Sequence, residues 1–63
     1  MSKIYLVMKK TYGDFDIPIE TPVLASENEE LINMKVGWFN DDRSKEDLEN
    51  EVKYSKSWVK LVQ

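Results

Sequence analysis

Alternating apolar and polar residues predict two strands at the start of the chain. Residues 3–12 alternate and are rich in β-branched and aromatic side chains, and residues 15–25 repeat that pattern. Gly13 and Asp14 suit a two-residue turn, which pairs residues whose numbers sum to 27. In that register we expect one nearly unbroken apolar face, formed by Ile4, Leu6, Met8 and Tyr12 opposite Val23, Thr21, Ile19 and Phe15.

Two prolines indicate which edge of this hairpin accepts another strand. Pro18 and Pro22 both fall at positions that do not hydrogen-bond to the first strand, so their missing N–H donors face outward. A further strand therefore cannot pair well beyond residues 17–25. The last apolar run, residues 57–62, must pair with the first strand instead. The predicted strand order is 2-1-3.

A capping signal predicts the first helix. Ser26 and Glu29 match a capping box, and acidic residues in the first turn suit the positive end of the helix dipole. We expect the helix to end near Val36, because Gly37 is a favourable residue just past a helix end. A helix that continues to Phe39 is the alternative, since the apolar spacing persists that far.

A second capping signal begins at Ser44 and predicts a short helix over residues 45–53, with Leu48 and Val52 facing inward. Together these elements predict one α+β domain over residues 1–63, in the order ββα(α)β. Its three-stranded sheet carries the helices on one face.

Composition restricts the chemistry of the chain. It has 63 residues with no Cys and no His, which excludes disulfides, thiolate or imidazole metal sites and Ser-His-Asp catalysis. Four loop carboxylates lack the spacing of a calcium loop: Asp14, Asp16, Asp41 and Asp42. We therefore expect no enzyme activity, metal or cofactor. A core of this size supplies about 3–5 kcal/mol, so oligomerisation or a partner is the expected reinforcement.

Charge and hydropathy restrict the classes of partner and the expected location of the chain. The net charge is −3, and all 12 acidic residues lie between residues 13 and 51. Eight lysines accompany a single arginine, Arg43, which disfavours base-specific DNA recognition. No apolar run approaches the roughly 20 residues of a membrane span, and no signal-peptide core is present. The expected location is cytoplasmic.

The sheet face without helices is the predicted interaction surface. Tyr5, Val7 and Trp58 are expected at its centre, and Lys9 and Lys60 at its rim. A second candidate surface is Trp38 with Phe39, beside the acidic loop that follows them. Lysines interleaved with aromatic residues are also typical of platforms for single-stranded nucleic acid or nucleotides, which is the alternative to protein binding.

In its size, acidity and bias toward Lys, Asn and Ile, the chain resembles the short accessory proteins of tailed phages. That resemblance is at the level of the class and rests on no specific motif. It implies a non-enzymatic module that binds a protein, as an inhibitor or adaptor of a host enzyme or defence component in the host cytoplasm. A homodimer is one expected form, and an oligomer that sequesters a nucleotide is the alternative.

Overall fold

The computed structural model describes residues 3–13 and 15–61. Three antiparallel strands form one sheet in the order β2-β1-β3. This confirms the predicted α+β class, the order of elements and the strand order. The elements along the chain are β1 (Lys3–Tyr12), β2 (Pro18–Ser26), α1 (Glu29–Asp41), α2 (Lys45–Glu49) and β3 (Lys53–Lys60).

The hairpin between β1 and β2 closes later than predicted. The Gly13 N–H donates to the Ile17 carbonyl over 3.1 Å, and the Asp16 N–H donates to the Gly13 carbonyl over 3.1 Å. Asp16 has a φ of 57°, a left-handed conformation that Asp tolerates better than most residues. Tyr12 pairs with Pro18, so the predicted register with a sum of 27 is wrong. Asp14 lies outside the described residues.

The observed register near the turn is shifted by three residues from the predicted one. Because successive side chains of a strand point to opposite faces, this odd shift moves each β2 side chain to the face opposite the predicted one. Ile19 and Thr21, expected opposite even-numbered residues of β1, pair with Thr11 and Lys9. An irregularity beside Val7 then adds one residue to β2 and shifts the pairing again. The predicted single apolar face of the hairpin is therefore wrong.

The inference from the prolines does not depend on that register. Starting from the Gly13–Ile17 pair, the odd-numbered residues of β2 hydrogen-bond toward β1 near the turn. Pro18 and Pro22 alternate with them, so their missing donors still face outward. This is why the predicted strand order survives an incorrect turn.

The two helices differ in how well their caps were predicted. The capping box predicted at Ser26 is wrong: Asn28 is the N-cap of α1, and its Oδ1 accepts from the Leu31 N–H over 3.2 Å. Ser26 Oγ instead accepts from the Asn28 N–H over 3.0 Å. The capping box of α2 is confirmed, since Ser44 and Asp47 each accept from the other's backbone N–H.

α1 continues past Gly37 to Asp41, so its predicted end near residue 36 is wrong and the alternative, a helix that continues through Phe39, is confirmed. No glycine has a positive φ in the described residues, and Gly37 therefore does not adopt the left-handed conformation that ends many helices. The last turn closes instead where the Asp42 N–H donates to the Trp38 carbonyl over 2.9 Å. The longer helix carries Trp38 and its neighbours on regular helical backbone.

α2 and β3 also differ from their predicted bounds. α2 ends at Glu49, and β3 begins at Lys53, before its predicted start at residue 57. Val52 is 4% exposed, as expected for an inward residue, whereas Leu48 is 54% exposed and does not face inward. Residue 62, the predicted end of the strand, lies outside the described residues.

The core is small for the surface around it. In the described part of the chain the buried hydrophobic residues are Val7, Ile32 and Val52. The Cα radius of gyration is 13.0 Å, against about 10.6 Å for a compact domain of this length. The principal extents of 39 × 25 × 10 Å describe a flat, elongated molecule.

Candidate interaction surfaces

One face of the sheet is covered by α1. Lys56 Nζ lies 2.9 Å from Glu29 Oε2, which joins β3 to the start of the helix. Near the other end of the helix the rings of Phe39 and Tyr54 stack with centroids 5.0 Å apart. We call this the covered face; strand pairing places on it Tyr5, Val7 and Lys9 of β1 beside Trp58, Lys56 and Tyr54 of β3.

The predicted interaction residues therefore share a face, but it is the one that the helix occupies. Val7 is 0% exposed and is not available to a partner, so placing it at the centre of an exposed surface is wrong. Tyr5 and Lys9 are half-buried. Trp58 is 52% exposed, and Lys3 Nζ lies 4.5 Å from its ring centroid. Lys60 pairs with Lys3 and is exposed.

The same arrangement bears on the alternative of a nucleic-acid platform. Tyr5 and Lys9 lie on the covered face, and Lys56 of that face is already paired with Glu29. Stacking platforms need aromatic faces and lysines that are accessible together. The predicted platform is therefore only partly accessible, since Tyr5 and Lys9 are half-buried while Trp58 is exposed.

The opposite face is apolar at its centre, carries Lys10, Lys53 and Glu20 toward the hairpin, and has no helix over it in the described residues. α1 is the only described helix that comes against the strands. Val59, at one end of this face, is 47% exposed, and none of its central residues is charged. We call this the uncovered face; pairing places on it Ile4, Leu6 and Met8 of β1, Val59, Ser57 and Ser55 of β3, and Ala25 and Pro22 of β2.

The outer edge of β3 is capped at its start by the end of α1. Asn40 Nδ2 donates to the Tyr54 carbonyl over 2.9 Å, and the Tyr54 N–H donates to Asn40 Oδ1 over 2.9 Å. Arg43 Nη1 donates to the Val52 carbonyl over 2.9 Å. These bonds satisfy backbone groups that would otherwise attract another strand. With the prolines on β2, one edge of the sheet and the start of the other are protected.

A groove of about 600 Å³ lies at the C-terminal end of α1, lined by Lys35, Trp38, Phe39, Asp41 and Asp42. Trp38 is 65% exposed, and Lys35 Nζ lies 4.2 Å from its ring centroid. Phe39 is half-buried because it stacks on Tyr54. The predicted pair thus divides into an accessible residue, Trp38, and a packing residue, Phe39.

The tip of the β1–β2 hairpin projects beyond the rest of the sheet. The pairing of β3 with β1 stops at Lys10, so beyond it β1 and β2 pair only with each other. We call residues 11–19 the projecting hairpin. Its large apolar side chains are exposed: Phe15 (86%), Ile17 (60%), Ile19 (51%) and Tyr12 (38%).

Sequence reasoning placed Phe15 and Ile19 on the apolar face of the hairpin and so missed this surface. A signal was present, since Phe15 lies between two aspartates, a setting typical of an exposed turn. The predicted two-residue turn assigned Phe15 to the second strand, so Phe15 was not considered as a turn residue.

Within residues 3–13 and 15–61, no three acidic side chains form a group able to hold a metal ion. None of the described helices has the length and apolar character to cross a membrane.

A scan against protein-family models finds no match, and searches among curated proteins and solved structures return no similar chain.

Proposed function

We propose that this chain is a non-enzymatic protein-binding module, an inhibitor or adaptor of a host enzyme or defence component in the cytoplasm. The projecting hairpin is its contact with that partner. The observation that supports this function is the exposure of Phe15, at 86%, among three other exposed apolar side chains. Ile17 and Ile19 lie on one side of the hairpin and Tyr12 on the other, so apolar side chains are exposed on both sides of its tip, which is typical of a surface that a partner covers.

The projecting hairpin has the properties of a preformed anchor. Two backbone hydrogen bonds around Gly13 hold the turn. Pro18, which follows the turn, has its own φ fixed by the proline ring. A rigid turn loses little conformational freedom on binding, which lowers the free-energy cost of association. Phe15 then supplies a large apolar side chain of the kind that dominates interface energies.

Charge around the anchor indicates the partner's chemistry. Phe15 lies between two aspartates in the sequence, and Glu20 follows on β2. An apolar pocket with a basic rim complements this arrangement. The absence of Cys and His, together with the shape of the groove beside Trp38, which is open to solvent, favours binding over catalysis.

Site-specific photo-crosslinking in cells that naturally produce the chain tests this function. A benzophenone amino acid at position 15 should form one discrete heavier adduct, because Phe15 enters the partner's pocket. The same amino acid at position 34 is the matched control, since Met34 is 62% exposed on α1. Equal adduct patterns at both positions, or none at position 15, would contradict the proposal.

A substitution pair separates binding from folding. Phe15→Ser should abolish recovery of the crosslinked partner with purified chain, whereas Met34→Ser should retain it. Both side chains are exposed, at 86% and 62%, so circular dichroism should show the same folded state for each variant. Retained binding by Phe15→Ser would move the contact away from the projecting hairpin.

A further inference from the structure

We propose that the uncovered face is the interface of a homodimer in which two copies of this chain pack sheet against sheet. This surface is separate from the projecting hairpin, so the two proposals fail independently.

The surface area has the size that a dimer would use. The chain exposes 5030 Å², whereas a compact monomer of 7.4 kDa exposes about 4,200 Å². The excess is about 800 Å², which matches the area that each partner buries in a standard protein interface. Three adjacent strands contribute to the uncovered face, which offers a second copy a continuous sheet surface to pack against.

The central strand has the composition of a strand buried on both sides. Residues 4–8 of β1 are apolar or aromatic without interruption. Such runs are typical of strands that are covered on both faces of a sheet, whereas a solvated face normally alternates with polar residues. α1 covers the face of Val7, which leaves Ile4, Leu6 and Met8 partly exposed on the other.

A second copy is the occupant that best fits the remaining surface. Pro18 and Pro22 protect one sheet edge and Asn40 protects the start of the other, so association by strand addition is disfavoured. β1 and β3 contain no acidic residue, and the carboxylate of β2 on this face, Glu20, lies beside Lys10, so two chains of net charge −3 meet few carboxylates here. A sheet with a thin core and no disulfide gains stability from such a contact.

The two-fold symmetry of the dimer specifies which residues meet. A two-fold axis that runs midway between the two sheets, over Leu6 and across the direction of β1, sets Ile4 of one copy against Met8 of its partner. Packed sheets lie about 10 Å apart, with their strands about 30° from alignment. Lys10 of each copy then lies beyond the end of the partner's β1, where it stays in solvent.

Sedimentation equilibrium of the full chain, from about 1 μM to about 500 μM, tests the dimer at and above the weakest affinity expected for interfaces of this size, which is micromolar. We expect a concentration-dependent mass that reaches twice 7.4 kDa. Leu6→Lys should remain at the monomer mass, while Met34→Lys, the same change on the outer side of α1, should dimerise as the unmodified chain does. A monomer at every concentration, or a folded Leu6→Lys that still dimerises, overturns the proposal.

Crosslinking decides the matter if Leu6→Lys does not fold. The chain contains no Cys, so Leu6→Cys and Met34→Cys each provide one thiol. A short bis-maleimide should join two copies of Leu6→Cys at least tenfold faster than two copies of Met34→Cys, although position 34 is more exposed. Equal rates would overturn the dimer through this face, including the case in which another protein covers it.

Discussion

The two faces of this sheet differ in a way that reverses the usual expectation. The covered face contains lysines and tyrosines, including Lys9, Lys56 and Tyr54, yet it is the one against which α1 packs. The uncovered face is more apolar, with Leu6 and Met8 at its centre, yet no described helix lies over it. Average hydrophobicity of a strand face therefore does not determine which face an adjacent helix covers.

α1 provides a carboxylate and an aromatic ring that pair with polar and aromatic residues of the covered face. Glu29 neutralises Lys56 at one end of α1, and Phe39 stacks on Tyr54 near the other. Between them Ile32 and Val7 are fully buried, which supplies the apolar part of the contact. Polar residues at the rim of a helix–sheet contact can thus remain partly exposed while the centre stays dry.

The largest effect should come from the centre of the covered face. Ile32→Ala should cost about 2–5 kcal/mol, because Ile32 is one of the three buried core residues and its truncation leaves a cavity among them. That loss is comparable to the whole stability of a domain this small, so the variant should be largely unfolded at room temperature. Urea denaturation followed by circular dichroism measures it.

Met8→Ala is the matched change on the uncovered face, because Met8 is only partly buried. In dilute solution it should cost about 1 kcal/mol or less, since the side chain already contacts water. Its cost should rise with protein concentration if a second copy covers this face, because association stabilises the folded state by mass action. Equal losses for Ile32→Ala and Met8→Ala in dilute solution would contradict the distinction between the faces.

How much of this could be read from the sequence depends on the range of each interaction. The strand β1, the cap at Ser44 and the closed edge beside Pro18 and Pro22 rest on local chemistry, and the sequence predicted them. The hairpin register depends on the length of the turn, which decides whether Tyr12 pairs with Phe15 or, three residues later, with Pro18. Both choices satisfy local preferences.

The prediction of which sheet face the helix covers was wrong because it depended on the incorrectly placed turn. Once β2 was placed in the wrong register, the even-numbered residues of β1 gained an apolar partner face and became the predicted core. The contacts that select the other face are long-range, such as Phe39 with Tyr54 and Glu29 with Lys56. No local pattern in the sequence specifies those pairs. The exposure of Ile19 and Phe15 follows from the longer turn instead.

The next effect concerns the edge between the two faces. Asn40→Ala should cost about 1–3 kcal/mol, because the Tyr54 N–H and carbonyl both lose their partner in a partly buried site. Asn33→Ala is the control, an exposed position on the same helix. Hydrogen exchange should show faster exchange of the Tyr54 amide in Asn40→Ala alone. Unchanged exchange there would mean that the Asn40 bonds do not protect the edge.

A smaller and stabilising effect is expected within the helix that covers the sheet. Gly37 lies in the interior of α1 without a positive φ, and a methyl group there would meet no atom within 4 Å. Gly37→Ala should therefore add about 0.5–1 kcal/mol by restricting the unfolded chain. Thermal denaturation measures the gain as a higher midpoint. A lower midpoint would show that the helix needs flexibility at this position.

The smallest effect should come from the ion pair between Lys56 and Glu29. Its side chains are 37% and 49% exposed, so solvent screens most of the attraction across the 2.9 Å contact. A double-mutant cycle with Lys56→Met and Glu29→Gln should give a coupling of about 0.2–1 kcal/mol, decreasing as salt is raised. Lys53→Met with Glu29→Gln is the control cycle, since Lys53 lies beside Lys10 on the other side of the sheet. A coupling well above this range would mean that the pair is desolvated and that polar contacts, rather than Val7 and Ile32, hold α1 on the covered face.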